Sequence, residues 1–279
     1  MQEEQEQGQQ KKQSEQKEAQ ERSAPSGKIV YKAILKEGEE ELERSSSALA
    51  WSGLAAGLSM GFSMIAEGLL TAYLPDAHWR PLVAKFGYSA GFLIVILGRQ
   101  QLFTENTLTP ILPLLQKKPN ASVGNVMRLW IIVLIANLIG AFVVAIVVAQ
   151  TKAFEPEIQS AFAEIGHKAL EPGFGTVLLR GIFAGWLIAL MVWLLPFAET
   201  ARVWVIILLT YLVGLGHFSH IIAGAVETFT VAAMGEASWG TVFGGFIVPA
   251  LIGNILGGVT LVATLNHAQV VAGERGQDI

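Results

Sequence analysis

Six apolar runs, over 48–74, 82–115, 125–150, 176–195, 203–234 and 242–266, constrain this chain more than any other feature. A helix rises about 1.5 Å per residue and a bilayer's hydrocarbon core is about 30 Å thick, so every run is long enough to cross. Backbone polar groups in lipid have no water to bond, and a run of this kind satisfies them internally only as a helix. The runs therefore predict an all-α integral membrane protein. Composition agrees, with 52% hydrophobic and 15% charged residues, where soluble domains carry about 25% charged.

The flanks are different in kind. Residues 1–27 are a Gln/Glu/Lys/Ser mixture that cannot bury enough surface to offset ordering entropy, and predict a disordered cytoplasmic tail. Residues 28–46 set Ile29, Val30, Ala33 and Ile34 near one face, against Glu37, Glu39, Glu40, Glu41 and Arg44. This suggests an amphipathic helix, read most simply as a solvated linker leaning on the protein or the membrane. The transmembrane domain is expected over 47–268, with a short cytoplasmic tail over 269–279. Between the third and fourth runs, Pro156, Ile158, Phe162, Ile165 and Ala169 read as a small interfacial helix. If the N-terminus is cytoplasmic, the inside collects eight tail cations with Lys117, Lys118, Arg128, Arg202 and Arg275, and the outside only Arg80, Lys85, Lys152 and Lys168. The positive-inside rule then puts both termini in the cytoplasm.

Several function classes drop out. With no Cys, thiolate chemistry and disulfide scaffolds are excluded. The five His residues show no His-x-x-x-His spacing, so no metal or other cofactor is expected. Basic residues do not cluster as nucleic-acid binding requires. No nucleophile, base and orienting group can be assembled, which argues against an enzyme. No apolar core of a secretory signal opens the chain.

An internal repeat organises the apolar region. Ser122-Val-Gly124-Asn-Val126, leading to Ala136-Asn137-Leu-Ile-Gly140, recurs as Ser238-Trp-Gly240-Thr-Val242, leading to Gly253-Asn254-Ile-Leu-Gly257; Gly53 and Gly57 answer Gly181 and Gly185. Two three-span halves, about 48–150 and 176–267, follow, and an odd number of spans per half inverts the second in the membrane. The second and fifth runs, about 34 and 32 residues long, would make helices of about 50 Å and must tilt or break. Each carries a polar interruption at a matching place, over 98–106 and 214–220. Breaks at corresponding positions of inverted halves point to a substrate path near the midplane. The half-helix after each break would present free N–H groups suited to an anion.

On these residues the chain resembles the formate/nitrite transporter family, most closely a divergent YfdC-type branch. The match runs from about residue 48 to 267. It is carried by Leu102-Phe103-Thr104 with Asn106, by Gly214 to Ala223 with His220, by Gly181 to Trp193, and by Gly253-Asn254-Ile255-Leu256-Gly257-Gly258. The resemblance implies a homopentamer in the inner membrane of a bacterial-type cell, each protomer having its own pore and six spans in an aquaporin-like arrangement. It places the family's central histidine on His220 and its loop threonine on Thr104, between apolar constrictions. There the histidine is thought to hydrogen-bond or protonate a passing small monovalent anion such as formate, nitrite or hydrosulfide. The sequence departs from the family pattern at Gly185 and Gly224, where Asn is usual, and at Glu105, where a small residue is common.

Each candidate has a plainer alternative. His220 is read as a pore residue, because ionisable groups in spans are costly, against a packing histidine. His217 is read mainly as an interhelical hydrogen-bonding group. Thr104 suits a pore or a helix cap, and Phe218 and Leu102 are expected at constrictions by adjacency to the breaks. Asn106 and Glu105 join the substrate pathway. Arg99 and Glu227 are structural charge candidates, with Arg99 expected to pair Glu105 or Glu227 and hold the broken helix. The expected function is a channel or transporter for small monovalent anions, with proton coupling through the central histidine. The alternatives are a channel for another weak acid or neutral solute, its lining widened at Gly185 and Gly224, and a membrane sensor or scaffold using the charged tail.

Overall fold

In the computed structural model, residues 26–265 and 267–269 are described; most of the expected tails at 1–27 and 269–279 lie outside them. No strand occurs among the described residues. Helix α1 covers Gly27–Glu43 and α2 covers Ser46–Tyr73. A kinked segment follows, formed by α3 (Arg80–Ala84), a 3-10 turn (Lys85–Tyr88) and α4 (Ser89–Leu97). Beyond the first break come a 3-10 turn at Glu105–Thr107 and the short α5 (Ile111–Leu115). Next are α6 (Val123–Gln150), α7 (Pro156–Leu170) and α8 (Phe174–Leu194). The fifth apolar run forms two helices, α9 (Arg202–Leu215) and α10 (Ile221–Ala233). The last helix begins with α11 (Trp239–Thr241), widens to a π-turn at Val242–Ile247, returns to α12 (Val248–Leu256) and widens again at Gly257–Thr264. Pro249 has no N–H to give the preceding turn, which accounts for the first widening.

Among the described residues, five helices are long and apolar enough to cross a membrane: Ser46–Tyr73, Arg80–Leu97, Val123–Gln150, Phe174–Phe197 and Trp239–Gln269. The fifth apolar run is divided between α9 and α10, each too short to cross alone by the same measure.

The repeat is visible in the local chemistry. Ser122 caps α6 by accepting from Asn125 N, and Ser238 caps the last helix by accepting from Thr241 N. Helices α2 and α6 pack closely, as do α8 and α12, because glycines admit the opposing backbone. A Cβ on Gly57 would lie 2.2 Å from Asn137 O, and one on Gly185 2.3 Å from Asn254 O. Lipid tails are as apolar as the side chains, so close van der Waals approach is what holds such helices together.

Helix α1 leans on the protein, as the amphipathic reading allowed, and is docked by a buried face where a solvated linker was expected. Its buried stripe is Tyr31, Ile34, Gly38 and Leu42, while the expected Ile29 is half exposed. Arg128 of α6 donates to the carbonyls of Leu42 (2.8 Å) and Arg44 (3.1 Å), and Lys118 pairs with Glu39 at 2.9 Å. Tyr31 Oη bonds His267 Nδ1 at 2.8 Å and accepts from Gln116 Nε2 at 3.2 Å, tying α1 to the end of the last helix. Helix α7 turns Ile158, Ala161, Phe162 and Ile165 inward, as an amphipathic helix should, and packs on α2 and α10.

Candidate functional site

Both breaks end their leading helix in the same way. After α4, Arg99 takes the left-handed conformation (φ 50°), Arg99 N bonds Ile96 O and Gln100 N bonds Val95 O. After α9, His217 does the same (φ 50°), with His217 N on Gly214 O and Phe218 N on Val213 O. This is the pattern of a left-handed helix cap, which usually places glycine where Arg99 and His217 stand. Non-glycine residues held there mark sites that the surroundings must enforce.

One asparagine per half does the enforcing. Asn137 Nδ2 donates to Gly53 O (2.7 Å) and Gln101 O (2.9 Å), and its Oδ1 accepts from Phe103 N (2.9 Å). Asn254 Nδ2 donates to Gly181 O (2.9 Å) and Ser219 O (2.8 Å), and its Oδ1 accepts from Ile221 N (2.8 Å). Each buried amide thus satisfies two backbone groups that a break leaves open, Gln101 O and Phe103 N in one half and Ser219 O and Ile221 N in the other, and ties them to a carbonyl of an unbroken neighbouring helix. The sequence reading assigned these residues to the repeat but gave them no role. The available signal was a buried-type polar residue amid each of two long apolar spans, at matching places.

Where the breaks meet, His220 Nε2 bonds Thr104 Oγ1 at 2.8 Å, and His220 Nδ1 accepts from Ala223 N at 3.2 Å. The backbone N–H can only donate, so Nδ1 is bare and Nε2 carries the hydrogen it gives to Thr104. The Thr104 hydroxyl keeps its own hydrogen to offer. Phe92 sets its ring edge-on to the imidazole, centroids 4.9 Å apart, and Phe92, Leu102, Thr104 and His220 are all essentially inaccessible.

Two chambers flank this constriction. The α7-side chamber, of ≈170 Å³, is lined by Phe218 and His220 together with Lys85, Arg180 and Glu227. The α1-side chamber, of ≈630 Å³, is lined by Arg99, Gln101, Glu105 and Arg202 and by α1 through Glu37 and Glu41. Asn106 is buried between Gln101, whose Oε1 accepts from its Nδ2 at 3.0 Å, and Trp130, whose Nε1 donates to its carbonyl at 2.8 Å. Phe218 stacks on Phe183, centroids 5.2 Å apart.

Three expectations change. Arg99 pairs with neither Glu105 nor Glu227 among the described residues; it lines one chamber with Glu105, and Glu227 lines the other. Gly185 and Gly224 open no extra space: Asn254 backbone fills the first site, and the Phe246 ring, which lines the α7-side chamber beside Gly224, lies 2.0 Å from where a Cβ of Gly224 would stand. Nor does a free helix N-terminus follow each break. The N–H groups of Ile221 and Ala223 are capped by Asn254 and His220, and a 3-10 turn replaces the first half-helix.

Glu41 reaches from α1 into the first break. Its carboxylate accepts from Gln101 Nε2 at 3.1 Å and from Thr109 Oγ1. Burial pushes its pKa up to about 7, against the lowering effect of those two bonds.

A two-chamber, twice-broken bundle of this kind can be compared with known proteins. The family model described as formate/nitrite transporter matches residues 28–268. The chain belongs to the formate/nitrite transporter family. Among its relatives, the inner membrane protein YfdC of Escherichia coli (strain K12) is 41% identical over 241 residues, 86% of this chain and 78% of that one. A probable formate transporter of Methanothermobacter thermautotrophicus is 25% identical over 264 residues, 87% and 88% of the two chains. Two solved structures share the fold. A pentameric formate channel with formate bound gives a TM-score of 0.68 at 19% identity, covering 88% of this chain and 100% of its own. A channel described as an FNT family ion channel gives 0.73 at 18% identity, covering 85% and 97%.

Proposed function

We propose that this protein passes small monovalent anions of the formate, nitrite and hydrosulfide class across the inner membrane, as one protomer of a homopentamer. The observation that carries the reading is the His220–Thr104 hydrogen bond at the meeting point of the two breaks, with a chamber on either side. An apolar constriction rejects a hydrated ion, and a neutral hydrogen-bond donor there lowers the cost of passing a desolvated anion or its neutral acid. Thr104, held by His220 and with its own hydrogen free, is such a donor. Both imidazole nitrogens are engaged, which favours a hydrogen-bonding role for His220 over proton transfer.

Six crossings fit the contacts. Helix α1 and the end of the last helix meet through Tyr31 and His267, so the chain enters and leaves on one face. Five crossings cannot do that; α9 and α10 in series supply the sixth.

The test is a flux screen of purified protein in liposomes with formate, nitrite, hydrosulfide and acetate at two pH values. At least one of these anions should enter faster than into empty liposomes, and His220→Phe should slow it by about tenfold or more, equivalent to about 1.4 kcal/mol on the barrier. Equal flux in that variant would remove the assigned role.

A further inference from the structure

Glu227 lies in the α7-side chamber, seven residues beyond His220 and so two turns further along the same face of α10. The residue is 9% exposed, and it makes no side-chain hydrogen bond or ion pair among the described residues. The cations nearby are mostly taken. Lys85 Nζ holds Glu67 Oε1 at 2.5 Å, Lys168 holds Glu164 at 2.6 Å, and Arg80 holds Asp76 at 3.2 Å. A carboxyl group in a membrane interior without a protein partner is costly to keep, and such groups mark ion and proton paths. Its place is also fixed, because α7 presses Gly166 against the Glu227 carbonyl, where a Cβ would come within 2.5 Å.

We infer that Glu227 is the proton-exchange group of this path, handing a proton to the anion before the anion meets the constriction. The inference rests on the anion-transport reading above. In the step, A⁻ in the chamber takes the carboxylic proton, so the Glu227 O–H bond breaks and a bond from hydrogen to the anion forms. Neutral HA then passes Thr104 and His220 and gives its proton to the inner solution, and the Glu227 carboxylate takes a proton from hydronium of the outer solution, which leaves as water. His220 cannot perform this exchange without giving up a bond, because Nδ1 caps Ala223 N and Nε2–H serves Thr104.

The surroundings of Glu227 suit a group that is charged only in passing. Glu67 faces it from α2, Lys85 and Tyr88 from the 3-10 turn, and Glu164 and Lys168 from α7. Arg80, Arg180 of α8 and His217 complete the ionisable groups that share the chamber with His220 and Glu227. Helix α6 contributes none, since its one ionisable group, Arg128, is bonded to α1, and the Val242–Ile247 segment carries none. Arg180 makes no ion pair among the described residues, so the chamber holds a cation to offset the brief carboxylate.

The experiment is formate uptake into liposomes by the full chain, from pH 5 to 8, comparing wild type, Glu227→Gln and Glu227→Asp, with each variant's assembly checked by size exclusion. Wild type and Glu227→Asp should bring in formate with a matching fall in internal pH, and their uptake should vary only shallowly with external pH. Glu227→Gln must wait for acid already neutral in bulk, so its uptake should fall about tenfold per pH unit above the formate pKa. A wild-type pH profile in Glu227→Gln overturns the assignment. So does wild-type formate uptake without the internal pH change, a result that needs no variant. Wild type that moves no formate, nitrite, hydrosulfide or acetate overturns the transport reading instead.

Discussion

At the residue scale, the two asparagines carry an unusual share of the architecture. Each makes three backbone bonds, two of them where the helix ladder is open, and a buried group left unpaired costs about 1–3 kcal/mol. Asn254→Leu strands Ile221 N and Ser219 O at the break and removes the tie to Gly181 O of α8. We expect it to destabilise the protein by about 3 kcal/mol or more, read as a lower unfolding midpoint in detergent, with Asn137→Leu giving a comparable loss. Asn254→Asp keeps the acceptor for Ile221 N but not the two donors, and should fall between wild type and Asn254→Leu. A midpoint unchanged in both leucine variants would contradict the pinning role. These residues were visible in the sequence as a repeated Asn before a glycine. Their use was hidden because it depends on which loop carbonyls arrive opposite them, and that is set by helix crossings remote in the chain.

At the scale of elements, α1 is a lid-like helix fastened through a titrating group. Glu41 has a folded pKa of about 7, above its ordinary 4.5, so the docked state holds its proton more tightly than the undocked state. The docking contribution is therefore complete below pH 4.5 and is lost as pH rises through 7. Hydrogen exchange of the α1 amides should be slower at pH 5 than at pH 8, after correction for intrinsic rates, and Glu41→Gln should remove most of that difference. An unchanged difference in Glu41→Gln would assign the pH response elsewhere. Much at this scale was legible beforehand. The polar interruptions located both breaks, and the 3.6-residue pattern located α7. The buried face of α1 was missed because Ile29 and Val30 looked like its apolar side, whereas Tyr31 and Gly38 meet the bundle. Gly38 reads as a helix weakener in isolation, yet a Cβ there would lie 2.0 Å from Thr109 O. The expected Arg99 ion pair failed for a similar reason: a break that looks charge-held in one dimension is held by neutral amides in three.

At the scale of the whole molecule, the bundle has an inner seam of polar contacts and an outer surface that stays apolar. Trp204 (71% exposed) and Leu208 (60%) project from α9, and Phe62 (51%) from α2. Such surface is at home against lipid or against another protomer. If five protomers assemble, native mass measurement in mild detergent should give five times the 30.0 kDa chain. A monomer at all detergent concentrations would contradict the assembly. The fold class and the family were both within reach of sequence, because span length, breaks and repeat point the same way. The partition of the interior into two chambers was not, since it arises from Thr104, His220 and Phe92 closing together where the breaks meet and from α1 roofing one side.

The clasp between Tyr31 and His267 has a topological consequence. With the first and last helices in contact, the two halves form a closed circuit in which the order of the halves along the polypeptide carries little structural meaning. A gene in which the second half precedes the first, its new ends opened in the turn between Leu170 and Phe174, would encode the same bundle.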